Sequence, residues 1–586
     1  MNSIKNFLID RERRDLSRAG LTLCVCLLCI LRLLLSVQGR VFLVPEGSPI
    51  DDQLMYNAAV SISEGRWLGD YQYNTIAKHM FFSVWLAVIH QLGIPYFVAN
   101  AALALAGAWV MASALYPLLK KRSWVLGAFA LLAFCPVGFD QYNHRVYRDS
   151  ITVALLLLAF GGVIGCVLRA IPSADEATPD KKHRTVAFWC YSVIGGLGLG
   201  AGWLNREDGI WQLPFAVCLV LLSALALVKT QGLRKSLNKL AGFCLPFILL
   251  AGCLATYAGM NLKYYDRFLI SELSAKEFTT AYGMLTGIED ENTGACRPIT
   301  RATRQKLYDN SDFFAALEPY WESSTVLNGY GSTKTGEYGG SFYYGLRLAS
   351  QLAGQYTDPL ETKAYYETIA AELRRLEEEG VIKITHSSAS TVPYWRSEYF
   401  VPTIKELGNG LVMSLLCLDF DPRPQPSIYD PDMTDLEAML EWLNADMVRG
   451  YIAGTDQPYY NALQRLAFLA ETGLCWIWRL LILPASACGL WFTFAYWKKG
   501  FRYLFSGAHT PEPTFFVWVL LWGLLLSAVL RCGLMAYMEV TAFRIGTYLM
   551  YQSTAVPLLG LFGLLGIHEA ICAPRRRKCA EKEQNT

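Results

Sequence analysis

The sequence predicts an all-α polytopic membrane protein of about ten transmembrane helices, joined to a mixed α/β, helix-rich extracytoplasmic domain. Three observations carry this. Of the 586 residues 53% are hydrophobic, and mean hydropathy is +0.26. Charged residues make up 17%, against about 25% in an ordinary soluble domain. Apolar runs near 20 residues recur, long enough to cross a hydrocarbon core of about 30 Å. A formal net charge of +2 makes no case for a nucleic-acid partner, and the implied partner is a lipid bilayer.

In chain order, a basic "RERR" (Arg11–Arg14) precedes the first apolar run, Leu21–Val37, and no small-residue cleavage pattern follows "LLLSVQGR". It reads as an uncleaved signal anchor. Further spans are expected at Tyr96–Leu118, Trp124–Phe139, Ile151–Ile171, Ala187–Leu204, Ile210–Val228 and Leu240–Met260. After a long polar stretch come Leu474–Trp497, Phe515–Met538 and Tyr548–Ile571. "MFFSVWLAVIHQLG" (Met80–Gly93) is short for a crossing and suits an interfacial helix. With that piece on the surface, Arg11–Arg14, Lys120–Arg122, Lys181–Arg184, Lys229–Lys239, Lys498–Arg502 and Arg575–Lys578 all share one side. Positive charge marks that side as cytoplasmic, so both termini are expected there. With no ER-retention tail, the default location is a plasma (inner) membrane.

This threading divides the chain into a transmembrane module, 1–260, with an outer loop at 38–95; an extracytoplasmic soluble domain, 261–471; and C-terminal transmembrane helices with a basic tail, 472–586. In the soluble domain "SAKE" (Ser274–Glu277), "DPLE" (Asp358–Glu361) and "TDLE" (Thr434–Glu437) read as capping-box starts. The second opens a helix with Pro359 in its first turn and Gly380 at its end. "VIKIT" reads as a short strand, and "GYGSTKTGEYGGSFYYG" as either a sugar-stacking loop or an ordinary connection. Most of the 16 cysteines lie in apolar runs, without metal spacing; Cys296 and Cys417 could pair.

Four polar segments collect on the outer face: "SPIDDQLMY" with "NTIAKHM", then "DQYNHRVYRDS", "NREDG" and the soluble domain. Each short loop sets an acid or base beside an aromatic. Their order resembles the GT-C superfamily of membrane glycosyltransferases, in the branch of protein O-mannosyltransferases and lipid A aminoarabinose transferases. "DDQLMYNAAVSISEGRW" resembles the acidic start and first helix of that branch's outer loop. "KHMFFSVWLAVIHQLG" resembles the second helix, with His79 and Met80 where relatives usually carry two prolines. "NHRVYRDSITVALLLLAF" resembles the second-loop pattern of an Arg and an acid opening the fourth span. The likeness covers roughly Leu21 to Met260.

The resemblance implies transfer of a sugar, with inversion, from a polyprenyl-phosphate carrier to a glycan, lipid or protein acceptor. Such a step needs a carboxylate to take the acceptor proton and cations to receive the departing phosphate. Asp51 or Asp52 is the candidate base, the bland alternative being a helix cap. Asp149 is a third candidate, or an N-cap or surface ion pair. Lys78 and His79 could meet the lipid phosphate, or snorkel at the headgroups. Arg206 suits bidentate phosphate binding, or merely lines a tight polar turn. Tyr56, Arg148 and Glu207 complete the candidate substrate-binding set. No metal-ligand set is evident; a carboxylate-held divalent ion (Mg or Mn) stays open as a cofactor. A transporter or flippase of lipid-linked glycans is the competing class, disfavoured because the expected spans hold Arg32, Arg479 and Arg531 but no mid-span acid. A catalytically silent scaffold whose outer domain binds a partner is the third.

Overall fold

The computed structural model describes residues 15–584 except 45–49, 171–180, 291, 386–390, 429–431, 433–434, 449, 451–452, 456, 506–512, 545 and 547. The run Arg11–Arg14, Thr434 of "TDLE" and the side chains of Arg575–Lys578 lie outside the described residues.

Backbone groups in lipid must be satisfied within their own segment, so the apolar runs become helices. The first half contains α1 (Arg18–Ser36), α2 (Asp52–Ser63), α3 (Phe81–Gln91), α4 (Tyr96–Ala114), α5 (Arg122–Ala133), α6 (Asp149–Ala170), α7 (Lys181–Asn205), α8 (Leu213–Gln231) and α9 (Leu233–Tyr265). A polar stretch follows with α10 (Lys276–Thr286) and α11 (Pro359–Glu378). Then come α12 (Phe400–Leu416), α13 (Leu436–Leu443), α14 (Ala462–Ala495), α15 (Pro513–Thr541) and α16 (Ala555–Gln584). Among the described residues nine helices are long and apolar enough to cross a membrane. The count is ten if α5 and the segment Pro136–His144, bent by 50°, make one span. The chain is therefore a helical, multi-pass membrane protein. Met80–Gly93 contains only the short apolar helix α3.

α6 is the axis of the bundle, buried along almost its whole length between α4 and α7. Glycines let α6 and α7 touch backbone to backbone. A Cβ added to Gly162 would lie 2.2 Å from the Gly195 nitrogen, and one on Gly198 2.5 Å from that of Ala159. Small residues drive such close packing where lipid removes the hydrophobic incentive. α8 packs on α15 and joins the two halves of the bundle. α1 lies at the rim against α5, with Leu23, Leu27, Leu31 and Leu34 exposed.

The eighth expected span differs in where it starts. Asn461 and Gln464 form a reciprocal capping box, so α14 begins at Ala462 and carries Glu471 inside it. α12 also departs from the sequence reading, because it packs against α15 within the helical bundle and not with the polar domain. Its last carbonyls, Leu416 and Cys417, accept hydrogen bonds from Arg479 of α14 at 2.8 and 2.6 Å.

The polar domain has its own core, including Phe278, Trp321, Phe342 and Leu373, and Tyr73 and Ala77 of the first loop join it. Arg347 locks the two together, donating to the Tyr73 carbonyl (2.7 Å) and to Glu272 (2.8 Å). Strand content is smaller than a mixed α/β reading implies. Among the described residues the one sheet is a two-residue hairpin, Gly331–Ser332 with Glu337–Tyr338, inside the Gly/Tyr-rich stretch. "VIKIT" makes a single bridge, Ile384 to Ile288, because its other residues find no partner strand. Asp358 caps α11 as expected, and Asp435 caps α13. Ser274 caps nothing: its hydroxyl bonds back to Ser271, and α10 starts after Ala275. Cys296 and Cys417 are both free, and Cys417 lies beside Cys135 and Cys475 in a buried cluster.

Candidate functional site

The turn before α2, the loop before α6 and the turn between α7 and α8 meet at one end of the bundle. Asp51 occupies the N-cap position of α2, yet its side chain makes no capping bond. Its carboxylate instead contacts the Lys78 ammonium, accepts from the Tyr147 hydroxyl at 3.0 Å and faces Arg145 at 3.4 Å. Asp52 is fully buried. One of its oxygens meets two nitrogens of Arg145 (2.7 and 2.6 Å), and the other accepts the Val44 amide at 3.2 Å. The capping alternative therefore does not describe either acid. Asp51 remains 24% exposed, so the two neighbours divide: Asp52 is a clamp and Asp51 can be reached.

A second layer continues the network. Arg148 donates to Glu207 at 2.6 Å, and the same Glu207 oxygen accepts the His79 amide at 3.1 Å. The His79 ring contacts the Trp203 carbonyl at 2.7 Å. Arg206 pairs with Asp149 and reaches Asp208 at 3.1 Å; Arg531 of α15 holds the other Asp208 oxygen at 2.5 Å. Lys78 and His79 are buried among these groups, so snorkelling does not describe them. Tyr343 and Tyr344 come from the Gly/Tyr-rich stretch, and the Tyr344 ring lies 5.6 Å from the Lys78 ammonium. The structure thus gathers Asp51, Asp52, Lys78, His79, Arg148, Asp149, Arg206 and Glu207. It does not bring in Tyr56, whose ring packs edge-on against Trp442 of α13 at 5.4 Å. Arg145, Tyr147, Asp208 and Arg531 belong to the network too. Arg531 had a signal in the sequence, as a charge within an apolar run.

The electrostatics follow from burial and pairing. Burial acts to raise the Asp51 carboxyl, but Lys78 and Arg145 outweigh it and hold it well below the usual carboxylate range. Burial raises Asp52 against the pull of Arg145, and pulls the Lys78 ammonium down despite Asp51. Two buried atoms are left over: Asp149 Oδ2 and Arg148 Nε have no hydrogen-bond partner. Among the described residues no three of His, Cys, Asp and Glu are placed to hold a metal ion. The carboxylates here face guanidinium and ammonium groups.

Glu207 gives a measurable consequence. Partial burial pushes its carboxyl up, but Arg148 and the nearby His79 and Lys78 outweigh it and bring it to about 2. Its unfolded value is about 4.3, so its folded value is the depressed one. Its contribution is complete above about pH 4.3 and is lost as pH falls toward 2. Thermal unfolding in detergent should show this loss below about pH 4.3, and Glu207→Gln should flatten it. An unchanged acid limb in that variant would place the acid sensitivity elsewhere.

No protein-family model, curated protein or solved structure matches this chain.

Proposed function

We propose that the chain is an integral membrane glycosyltransferase of the GT-C kind, moving a sugar from a polyprenyl-phosphate carrier to an acceptor outside the cytoplasm. The observation that carries the reading is Asp51, a part-exposed carboxylate freed from capping and set among Lys78, Arg145 and Arg148. In the proposed step the acceptor hydroxyl gives its proton to Asp51 and its oxygen attacks the anomeric carbon. The bond from that carbon to the phosphate oxygen breaks, and the phosphate leaves with the electron pair toward the cations. Lys78 holds Asp51 weakly basic at rest; a phosphate that draws Lys78 to itself restores the carboxylate's basicity. The network end of the bundle faces away from the cytoplasm in this reading, because the basic clusters then lie inside.

The competing reading, a transporter of lipid-linked glycans, gains from Glu471, a buried acid of α14 that shares a cavity with Arg32. One experiment separates them: the purified protein in sealed vesicles, a panel of polyprenyl-phosphate sugars with glycan, lipid and peptide acceptors, and mass spectrometry of products. A transferase yields a glycosylated acceptor and free polyprenyl phosphate. Movement of intact donor across the vesicle without product would replace this reading with transport.

A further inference from the structure

Arg32 and Glu471, neither part of the Asp51 network, line one cavity of about 80 Å³ bounded by α1, α4, the bent segment after α5, the start of α6 and α14. Both side chains are buried. Arg32 donates once, to the Gly138 carbonyl at 2.7 Å, and its guanidinium lies over the Phe139 ring at 3.6 Å. Its Nε and Nη1 have no hydrogen-bond partner, and neither has Glu471 Oε2. Buried charges without a protein partner are costly, because they have given up bulk water for no fixed counter-group. A third group bearing both signs of charge would satisfy them together.

Size and position narrow that group. At roughly 10–15 Å³ of such space per water, the cavity holds several waters or one compact polar group. Arg32 lies one turn before the end of α1 at Ser36, roughly 6 Å below it. Asn143, His144 and Ser150, from the end of the bundle that carries Asp51, line the same space. The outer side of α1 exposes Leu27, Leu31 and Leu34.

We propose that this cavity binds a phosphoethanolamine group, with its phosphate on a free nitrogen of Arg32 and its ammonium on Glu471. A free guanidinium N–H gives a phosphate oxygen a charge-assisted hydrogen bond. The ammonium supplies the donor that Glu471 lacks. The group could arrive as a phospholipid headgroup or as the soluble phosphate ester. The inference does not depend on glycosyl transfer.

The test is native mass spectrometry of the full chain from nanodiscs of phosphatidylethanolamine, phosphatidylglycerol or phosphatidylcholine. Wild type should retain phosphatidylethanolamine about tenfold over the other two, the scale of one charge-assisted contact. Phosphatidylcholine lacks an ammonium hydrogen, and phosphatidylglycerol lacks the cation. Glu471→Gln should erase the preference while keeping phosphate-dependent retention; Arg32→Gln should lose retention of all three. Displacement by soluble phosphoethanolamine would identify the group itself as the ligand, and failure to displace would identify the intact lipid. Equal retention of the three lipids by wild type, or an unchanged preference in Glu471→Gln, overturns the proposal. Because Glu471→Gln keeps shape and most hydrogen bonding, it decides the matter if Arg32→Gln does not fold.

Discussion

Asp51→Asn should lower turnover by about a hundredfold or more, the scale of a lost general base, in protein that still folds. Asn caps a helix about as well as Asp, and Asp51 makes no capping bond to lose. The amide keeps an oxygen for Tyr147 and Lys78 but cannot take the acceptor proton. Asp52→Asn is the comparison. It weakens the buried clamp with Arg145, so its effect should appear mainly as a lower melting temperature, with turnover per folded molecule far less changed. Turnover near wild type in Asp51→Asn would remove the centre of the transferase reading, whatever the melting curves show.

Arg206→Ala carries the largest expected stability effect. Arg206 is the cation paired with Asp149, and both are buried. Removing one partner of a buried pair costs about 3–5 kcal/mol, because the remaining charge has lost both water and counter-ion. Asp208 suffers less, since Arg531 still holds it. Asp149→Asn on the Arg206→Ala background should therefore recover part of the loss. A double-mutant cycle by thermal unfolding measures that coupling. Additive effects, or an Arg206→Ala protein that melts like wild type, would show that the pair does not hold this end of the bundle. Asp149 Oδ2 already lacks a partner, so the position has little reserve.

The spans were legible because lipid demands long, uninterrupted apolar helices. α12 was not. Lys405, Glu406 and Asn409 give it the look of a soluble helix, and only its tertiary partners place it in the bundle. Arg479 caps its end, and Ser414 donates to Gln552 at 2.8 Å. The start of α14 was readable in principle, since Asn461 and Gln464 are a capping box written in the sequence. At the site, threading could gather Asp51, Lys78, Arg148 and Arg206 on one face, but not say which acid meets which base. Most of those choices join distant residues, Lys78 with Asp51 across 27 positions and Arg531 with Asp208 across 323. Tyr56 failed for a local reason. Five residues past Asp51 it is turned by roughly 140° around α2, onto the side that meets Trp442.

The glycine seam between α6 and α7 has a consequence for how the protein is made. These two helices are neighbours in the chain, and their glycines let them close as a hairpin without waiting for any other element. Asp149 opens one arm and Arg206 follows the other, so closing the hairpin brings an anion and a cation together at the same end. During synthesis the pair can neutralise itself long before α15 exists. Arg531, 323 residues after Asp208, arrives last and completes a charge balance that has already begun. Local pairing first and distant pairing last shortens the time any of these charges spends alone in lipid, where solitude is most expensive.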